Sequence, residues 1–115
     1  MMNYSAIPEF DRELKKLTKK YKSLPSDLEL FKKVLAVAPE GNERHFACLT
    51  KTDAFVVIKA RLFSQYLKGS SLRIIYAYWK TNDCVEFIEL YFKGDKETED
   101  TARIKAYLKS KIQER

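Results

Sequence analysis

Leu72-Arg73-Ile74-Ile75-Tyr76-Ala77-Tyr78-Trp79-Lys80-Thr81-Asn82-Asp83-Cys84-Val85-Glu86-Phe87-Ile88-Glu89-Leu90-Tyr91-Phe92 is the stretch whose reading decides the fold. Residues 72–79 and 85–92 are rich in β-branched and aromatic side chains. Thr81-Asn82-Asp83 between them is a turn-forming cluster, so the stretch reads as an antiparallel hairpin. Loop length decides which side chains share a face, because a one-residue slip sends each of them to the other side. A three-residue loop pairs Lys80 with Cys84 and Arg73 with Tyr91. It gathers Leu72, Ile74, Tyr76, Ile88, Leu90 and Phe92 on one face, suited to burial. Arg73, Ile75, Ala77, Trp79, Phe87, Glu89 and Tyr91 fall on the other. A two-residue loop would place Arg73 beside Leu90 and Phe92, so hydrophobic matching favours the odd loop.

Outward from the hairpin, residues 55–63 alternate as a third strand. Val56, Ile58, Ala60 and Leu62 are directed to the core, and Phe55, Val57, Lys59, Arg61 and Phe63 away from it. Residues 44–50 read as a further short strand. Upstream the period changes to a helical one. Phe10, Leu14, Leu17 and Tyr21 form one apolar stripe, opposite Lys15, Lys16, Lys19, Lys20 and Lys22. Pro25 breaks that helix, and Ser26-Asp27-Leu28-Glu29 has capping-box spacing for a second one, with Leu28, Phe31, Val34, Leu35 and Ala38 as its buried face. The first ten residues, with Pro8, read as an extended lead-in or a short strand. Ile104, Leu108 and Ile112 mark a terminal amphipathic helix from about Thr98. The order predicts one α+β domain over residues 1–115: an N-terminal helical hairpin packed on a twisted antiparallel sheet, closed by a C-terminal helix.

A chain of 115 residues suits a single core. Lys and Arg number 22 against 16 acids, a net charge of +6. The balance suits a polyanionic partner, either nucleic acid or an acidic protein, although many small proteins are as basic without one. No apolar run is long enough to cross a bilayer, and residues 1–10 lack a basic start followed by an apolar stretch, so no membrane role and a cytoplasmic location are expected. Cys48 and Cys84 have no metal spacing and read as reduced, mostly buried thiols. No metal or cofactor is expected. Glu97, Glu99 and Asp100 read as acids at a helix start, and His45, with no second ligand or nucleophile nearby in sequence, as structural.

The open sheet face suits phosphate chemistry. Lys59, Arg61, Arg73 and Tyr91 fall on it by parity, Lys93 continues the parity of Tyr91, and Lys68 stands in a loop at its rim. Arginine grips phosphate with two parallel hydrogen bonds, and clustered cations stabilise the charge that develops as phosphate is attacked. Tyrosine moves a proton only if neighbouring positive charge lowers its pKa. Trp79 has a ring that can stack on an unpaired base. The simpler alternative is a solvated outer face for the cations, and hairpin packing for Trp79 and Tyr91.

Several segments together carry a family likeness. They are Phe10-Asp11-Arg12-Glu13-Leu14-Lys15-Lys16-Leu17, Ser26-Asp27-Leu28-Glu29-Leu30-Phe31, Ile58-Lys59-Ala60-Arg61, Leu72-Arg73-Ile74-Ile75-Tyr76-Ala77-Tyr78, and Phe87-Ile88-Glu89-Leu90-Tyr91-Phe92-Lys93-Gly94-Asp95-Lys96-Glu97 followed by Glu99-Asp100. In order and spacing they resemble the RelE/ParE toxin superfamily, its ParE-like branch in particular, over nearly the whole chain. The resemblance implies a toxin of a type II toxin–antitoxin pair, silenced by a cognate antitoxin. Its expected action is metal-independent cutting of messenger RNA on the ribosome, an mRNA interferase. A non-nucleolytic toxin that binds DNA gyrase, or a catalytically silent binding protein, is the alternative. By position the resemblance implies Lys59, Arg61, Arg73 and Tyr91 as catalytic residues, with Lys68, Trp79 and Lys93 contacting RNA. The acidic stretch after Lys93 and the helix beyond it depart from the shorter tails of several RNA-cutting members, and no general base stands out.

Overall fold

The computed structural model describes residues 2–41, 44–64 and 72–113. Eight elements follow in order: β1 (Asn3–Ala6), α1 (Pro8–Lys20), α2 (Leu24–Val37), β2 (Phe46–Lys51), β3 (Phe55–Leu62), β4 (Leu72–Trp79), β5 (Cys84–Phe92) and α3 (Thr101–Gln113). The strands make one sheet in the order β1-β5-β4-β3-β2. The α+β class and the β4–β5 hairpin therefore stand. The sheet is not purely antiparallel, however: β1 precedes the helices and pairs in parallel with β5, Asn3 opposite Cys84 through Ala6 opposite Phe87.

The register of the hairpin is right at one end and off by one at the other. Arg73 pairs with Tyr91, Ile74 with Leu90 and Ile75 with Glu89. The next pair is Tyr76 with Phe87, and the ladder ends on Trp79 with Cys84. Ile88 is thus the extra residue of a β-bulge, and the loop is the four residues 80–83. Asp83 closes that loop in the left-handed region at φ 50°, which Asp tolerates better than most residues. Its carboxylate accepts a bond from the Tyr78 hydroxyl at 2.9 Å. The bulge exchanges two side chains relative to the simple alternation. Phe87 turns to the helical side and stacks on Phe10 at 5.2 Å, while Ile88 joins the opposite face. Glu13 of α1 serves the disturbed backbone, its Oε1 accepting from Leu90 N–H at 3.1 Å.

Helices cover both faces, so the sheet is the middle of three layers. On one side Phe10, Leu24, Leu28, Phe31 and Leu35 pack on Val56, Ile58, Ala60, Leu62, Leu72, Ile74 and Tyr76. Apart from Leu24, which was not expected, these are core residues that the periodicity predicts, but α2 is rotated and longer than expected. It begins at Leu24, with Ser23 flanking it and Pro25 in its first turn, a position where proline's missing N–H is harmless. Ser26 is therefore not its cap; Ser23 instead donates from Oγ to Asp27 Oδ2 at 2.7 Å. Val34, expected inside, is 47% exposed.

On the other side α3 covers Phe55, Val57, Ile75, Ala77, Trp79, Ile88 and Tyr91 with Ile104 and Tyr107. Tyr107 replaces Ile112, which is exposed. Polar contacts fix this helix. Trp79 Nε1–H donates to Tyr107 Oη at 2.8 Å, and the Tyr107 hydroxyl donates to Glu86. Arg103 reaches Glu13 with both arms of its guanidinium, each at 2.9 Å. Asp100 caps α3, accepting from Arg103 N–H at 2.9 Å, in keeping with acids at a helix start. No helix among the described residues is long and apolar enough to cross a membrane. Both cysteines are free thiols, and Cys48 is exposed rather than buried.

Candidate functional site

Cross-strand pairing builds the site as a row. Arg61 on β3 stands opposite Arg73 on β4, and Arg73 opposite Tyr91 on β5. On the outer side, β2 pairs Phe46 with Ala60. One step earlier, the Arg61 N–H donates to the His45 carbonyl at 3.0 Å, which adds His45 to the row opposite Arg61. Opposed residues of an antiparallel ladder share a face. The row therefore reads His45, Arg61, Arg73, Tyr91, on the face α3 covers farther along. The sheet face is graded: apolar and helix-covered toward the 80–83 turn, cationic and open toward the other end.

The open end forms a cleft of about 340 Å³ lined by Arg44, His45, Phe46, Ala47, Lys59, Ala60, Arg61, Arg73 and Lys93. Four of the sequence-predicted residues, Lys59, Arg61, Arg73 and Lys93, come together here. Lys68 lies outside the described residues. Two expectations are corrected. Tyr91 does not line the cleft; it is buried in the cluster with Ile104 and Tyr107, and Lys96 lies over its ring at 5.3 Å. Its pKa is raised, chiefly by burial and then by Glu99 and Glu89, against an opposing effect of Arg73. The phenol thus stays protonated and is not the readily ionised group the sequence suggested. Trp79 is 6% exposed and packed against Phe55 and Tyr107, so its ring has no open face for a base.

Arg44 and His45 were missed. They precede β2, whose register with β3 the sequence does not reveal; only counting back from Phe46 opposite Ala60 puts His45 on Arg61. No group of three or more His, Cys, Asp or Glu side chains among the described residues could hold a metal ion.

The electrostatics favour an anion. Arg73 is 9% exposed, and its pKa is lowered by burial and then by the charge of Arg61. Two guanidinium groups held side by side repel unless negative charge lies between or above them, and a phosphate satisfies both forks at once. At the edge of the cleft an internal anion is already in place. Glu99 Oε1 accepts from Lys59 Nζ at 2.8 Å. The Glu99 pKa is lowered, mainly by that bond. Because the folded pKa lies below the ordinary value of 4.5, the contact is fully present above that value. It is lost as pH falls through the lower folded pKa. Substituting Glu99→Gln removes a competing charge from Lys59. Affinity for inorganic phosphate and short oligonucleotides is expected to rise by about threefold or more at low salt, and the gain to shrink as salt is added. Isothermal titration at two salt concentrations checks this; unchanged or weaker binding would contradict it.

No protein-family model and no curated protein sequence matches the chain. Among solved structures the chain is similar to one from the archaeal RelE–RelB complex of Pyrococcus horikoshii OT3. The identity is 18%, the TM-score 0.62, and the match spans 81% of this chain and 96% of that one. At that identity the likeness establishes a shared fold: this is a RelE-like α+β fold.

Proposed function

We propose that the protein is the toxin of a toxin–antitoxin pair and cuts messenger RNA on the ribosome without a metal ion. The observation that carries the reading is the cationic cleft: Arg61 and Arg73 adjacent on neighbouring strands, with Lys59, Lys93 and Arg44 around them. The RelE-like fold and the whole-chain sequence resemblance support the same reading.

Metal-independent cutting of RNA proceeds by attack of the 2′-oxygen on its own phosphorus. The phosphoryl oxygens gain charge in the transition state, so the main task of the protein is to place fixed positive charge against them. In this reading Arg61 and Arg73 hold the phosphoryl oxygens. Lys59 supplies a further charge as its contact with Glu99 gives way, and Lys93 and Arg44 hold flanking phosphates. Tyr91 is a positioning residue, supporting Arg73 from the next strand. An antitoxin partner follows from the same reading. Leu30, Val34 and Val37, exposed beside the buried stripe of α2, offer apolar surface for an amphipathic segment of such a partner.

Induced synthesis in a bacterial host is expected to arrest growth, with new 5′ ends appearing inside coding sequences while plasmid supercoiling is unchanged. Co-expression of a neighbouring antitoxin frame is expected to restore growth. Arrest with intact transcripts and lost supercoiling would replace this reading with a gyrase-directed toxin. Undisturbed growth would exclude both.

A further inference from the structure

We propose that Phe63 is the surface on which an unpaired base of the bound strand stacks, beside the phosphate held by Arg61 and Arg73. The inference deepens the reading above and rests on its phosphate-binding cleft.

Placement comes first. Phe63 follows β3 directly. Leu62 before it is buried under the helices, whereas Phe63 is 54% exposed. The alternation of β3 therefore carries one step past the strand and puts Phe63 on the face of Arg61. Two residues of extended chain span about 7 Å, a step that a nucleotide covers between its phosphate and its base. Lys93, one step past Phe92 at the end of β5, lines the cleft on the same face. Phe63 and Lys93 thus lie beyond the arginine pair at the open end of the sheet.

The surroundings of the ring come second. The rings of His45 and Phe63 meet at 85°, with centroids 5.2 Å apart. Rings at right angles join one edge to one face, so the contact steadies Phe63 without enclosing it. Among the described residues the other large apolar side chains left exposed are aliphatic: Leu30, Val34 and Val37 on α2, and Ile112 on α3. A single exposed apolar side chain is ordinary. This one has a flat ring and adjoins a cleft walled by arginine and lysine.

A single strand of nucleic acid satisfies both features at once. Its phosphates meet the cations and the π-face of a base meets the ring. Trp79, the ring expected to do this, is buried under α3. Stacking accepts any base, so Phe63 selects an unpaired nucleotide rather than a particular sequence. In a duplex the base faces are already covered by their neighbours.

The test uses the full chain and 2′-O-methyl strands, which cannot be cut, so it does not depend on catalysis. Fluorescence anisotropy compares a short strand with one of equal charge whose bases flanking the central phosphate are missing. Wild type is expected to bind the complete strand about tenfold more tightly than the abasic one. Phe63→Leu keeps apolar bulk without the ring. It is expected to lose that preference while binding the abasic strand as wild type does. Phe63→Trp is expected to keep the preference, and its added indole to be quenched by the complete strand and not by the abasic one. The chain's own tryptophan, Trp79, is 6% exposed and supplies a constant background.

Equal wild-type affinity for the two strands, or an undiminished preference in Phe63→Leu, would overturn the assignment and leave the arginine cleft standing. An equal loss of affinity for both strands in Phe63→Leu would mark a structural role and overturn it too. Wild type that binds neither strand would overturn the assignment together with the cleft reading beneath it.

Discussion

Arg73→Ala is expected to slow cutting of ribosome-bound messenger RNA by about 10²- to 10³-fold, the usual loss when one preorganised donor to a developing oxyanion is removed. The same variant is expected to remain cooperatively folded, so that the loss in rate exceeds any loss of folded protein. Arg73 is nearly buried, its charge is disfavoured by burial and by Arg61, and it lies in the middle of β4 beside Tyr91. A guanidinium held where burial and a second arginine disfavour its charge is matched to an anionic ligand. Arg73→Lys separates charge from geometry. It keeps the positive charge but loses the planar fork, and its activity is expected to fall between the two. Single-turnover cutting and thermal melting of the three proteins check the pair of expectations. Full activity in Arg73→Ala, or a large fall in its melting temperature with activity lost in proportion to unfolding, would count against a catalytic role.

Glu89→Ala is expected to have the largest effect on stability, about 3 kcal/mol from the void and the orphaned amide together, or roughly 10 °C in melting temperature for a domain of this size. Glu89 follows the bulge residue Ile88 on β5 and has no exposed surface. One carboxylate oxygen is paired with Lys96, and the other accepts the Asp100 backbone N–H at 2.8 Å. The side chain thus ties the residues between β5 and α3 to the sheet and helps set the position of α3. Alanine leaves a void and an amide without its acceptor, while Lys96, 38% exposed, can turn to water. Glu89→Gln keeps an acceptor for Asp100 and is expected to lose about half as much. A loss under about 2 °C for alanine would show that the segment holds its place without Glu89. The functional readout is linked, because Glu99 sits in the same segment. Loosening it should also weaken the Lys59–Glu99 contact, so phosphate affinity is expected to rise even as stability falls.

Periodicity made most of the fold legible. The strands at 72–79 and 55–62 and the core set Val56, Ile58, Ala60, Leu62, Leu72 and Ile74 follow from alternation. So does the pairing of Arg73 with Tyr91, because any other register there would have buried a guanidinium among Leu90 and Phe92. The bulge at Ile88 was not legible. Both Phe87 and Ile88 are apolar, so a pattern of polar and apolar residues does not tell which of them faces the helices. The stack of Phe87 on Phe10 decides it, and that is a tertiary contact. The lead-in was legible as an extended segment or a short strand, but its parallel pairing with β5 was not, since a four-residue strand pairs in parallel only once its partner exists.

The candidate site divides in the same way. Arg61 and Arg73 came from parity and persist. Tyr91 and Trp79 also fall on the expected face, but a helix that sequence could place but not dock buries both. His45 was read as structural because no ligand or nucleophile partner stands near it in sequence; its neighbour across the ladder, Arg61, is set by the β2–β3 register. The cleft is therefore more basic, and less aromatic, than the sequence suggests.

The account stands or falls on whether the arginine pair cuts RNA. The most direct test is to add the purified protein to ribosomes stalled on a defined message and map 5′ ends by primer extension. The wild type should produce discrete cuts inside the codon at the ribosomal A site without added metal chelators changing them. The Arg61→Ala, Arg73→Ala double variant, folded by circular dichroism, should produce none. Absence of cuts with wild type, or equal cutting by the double variant, would contradict it.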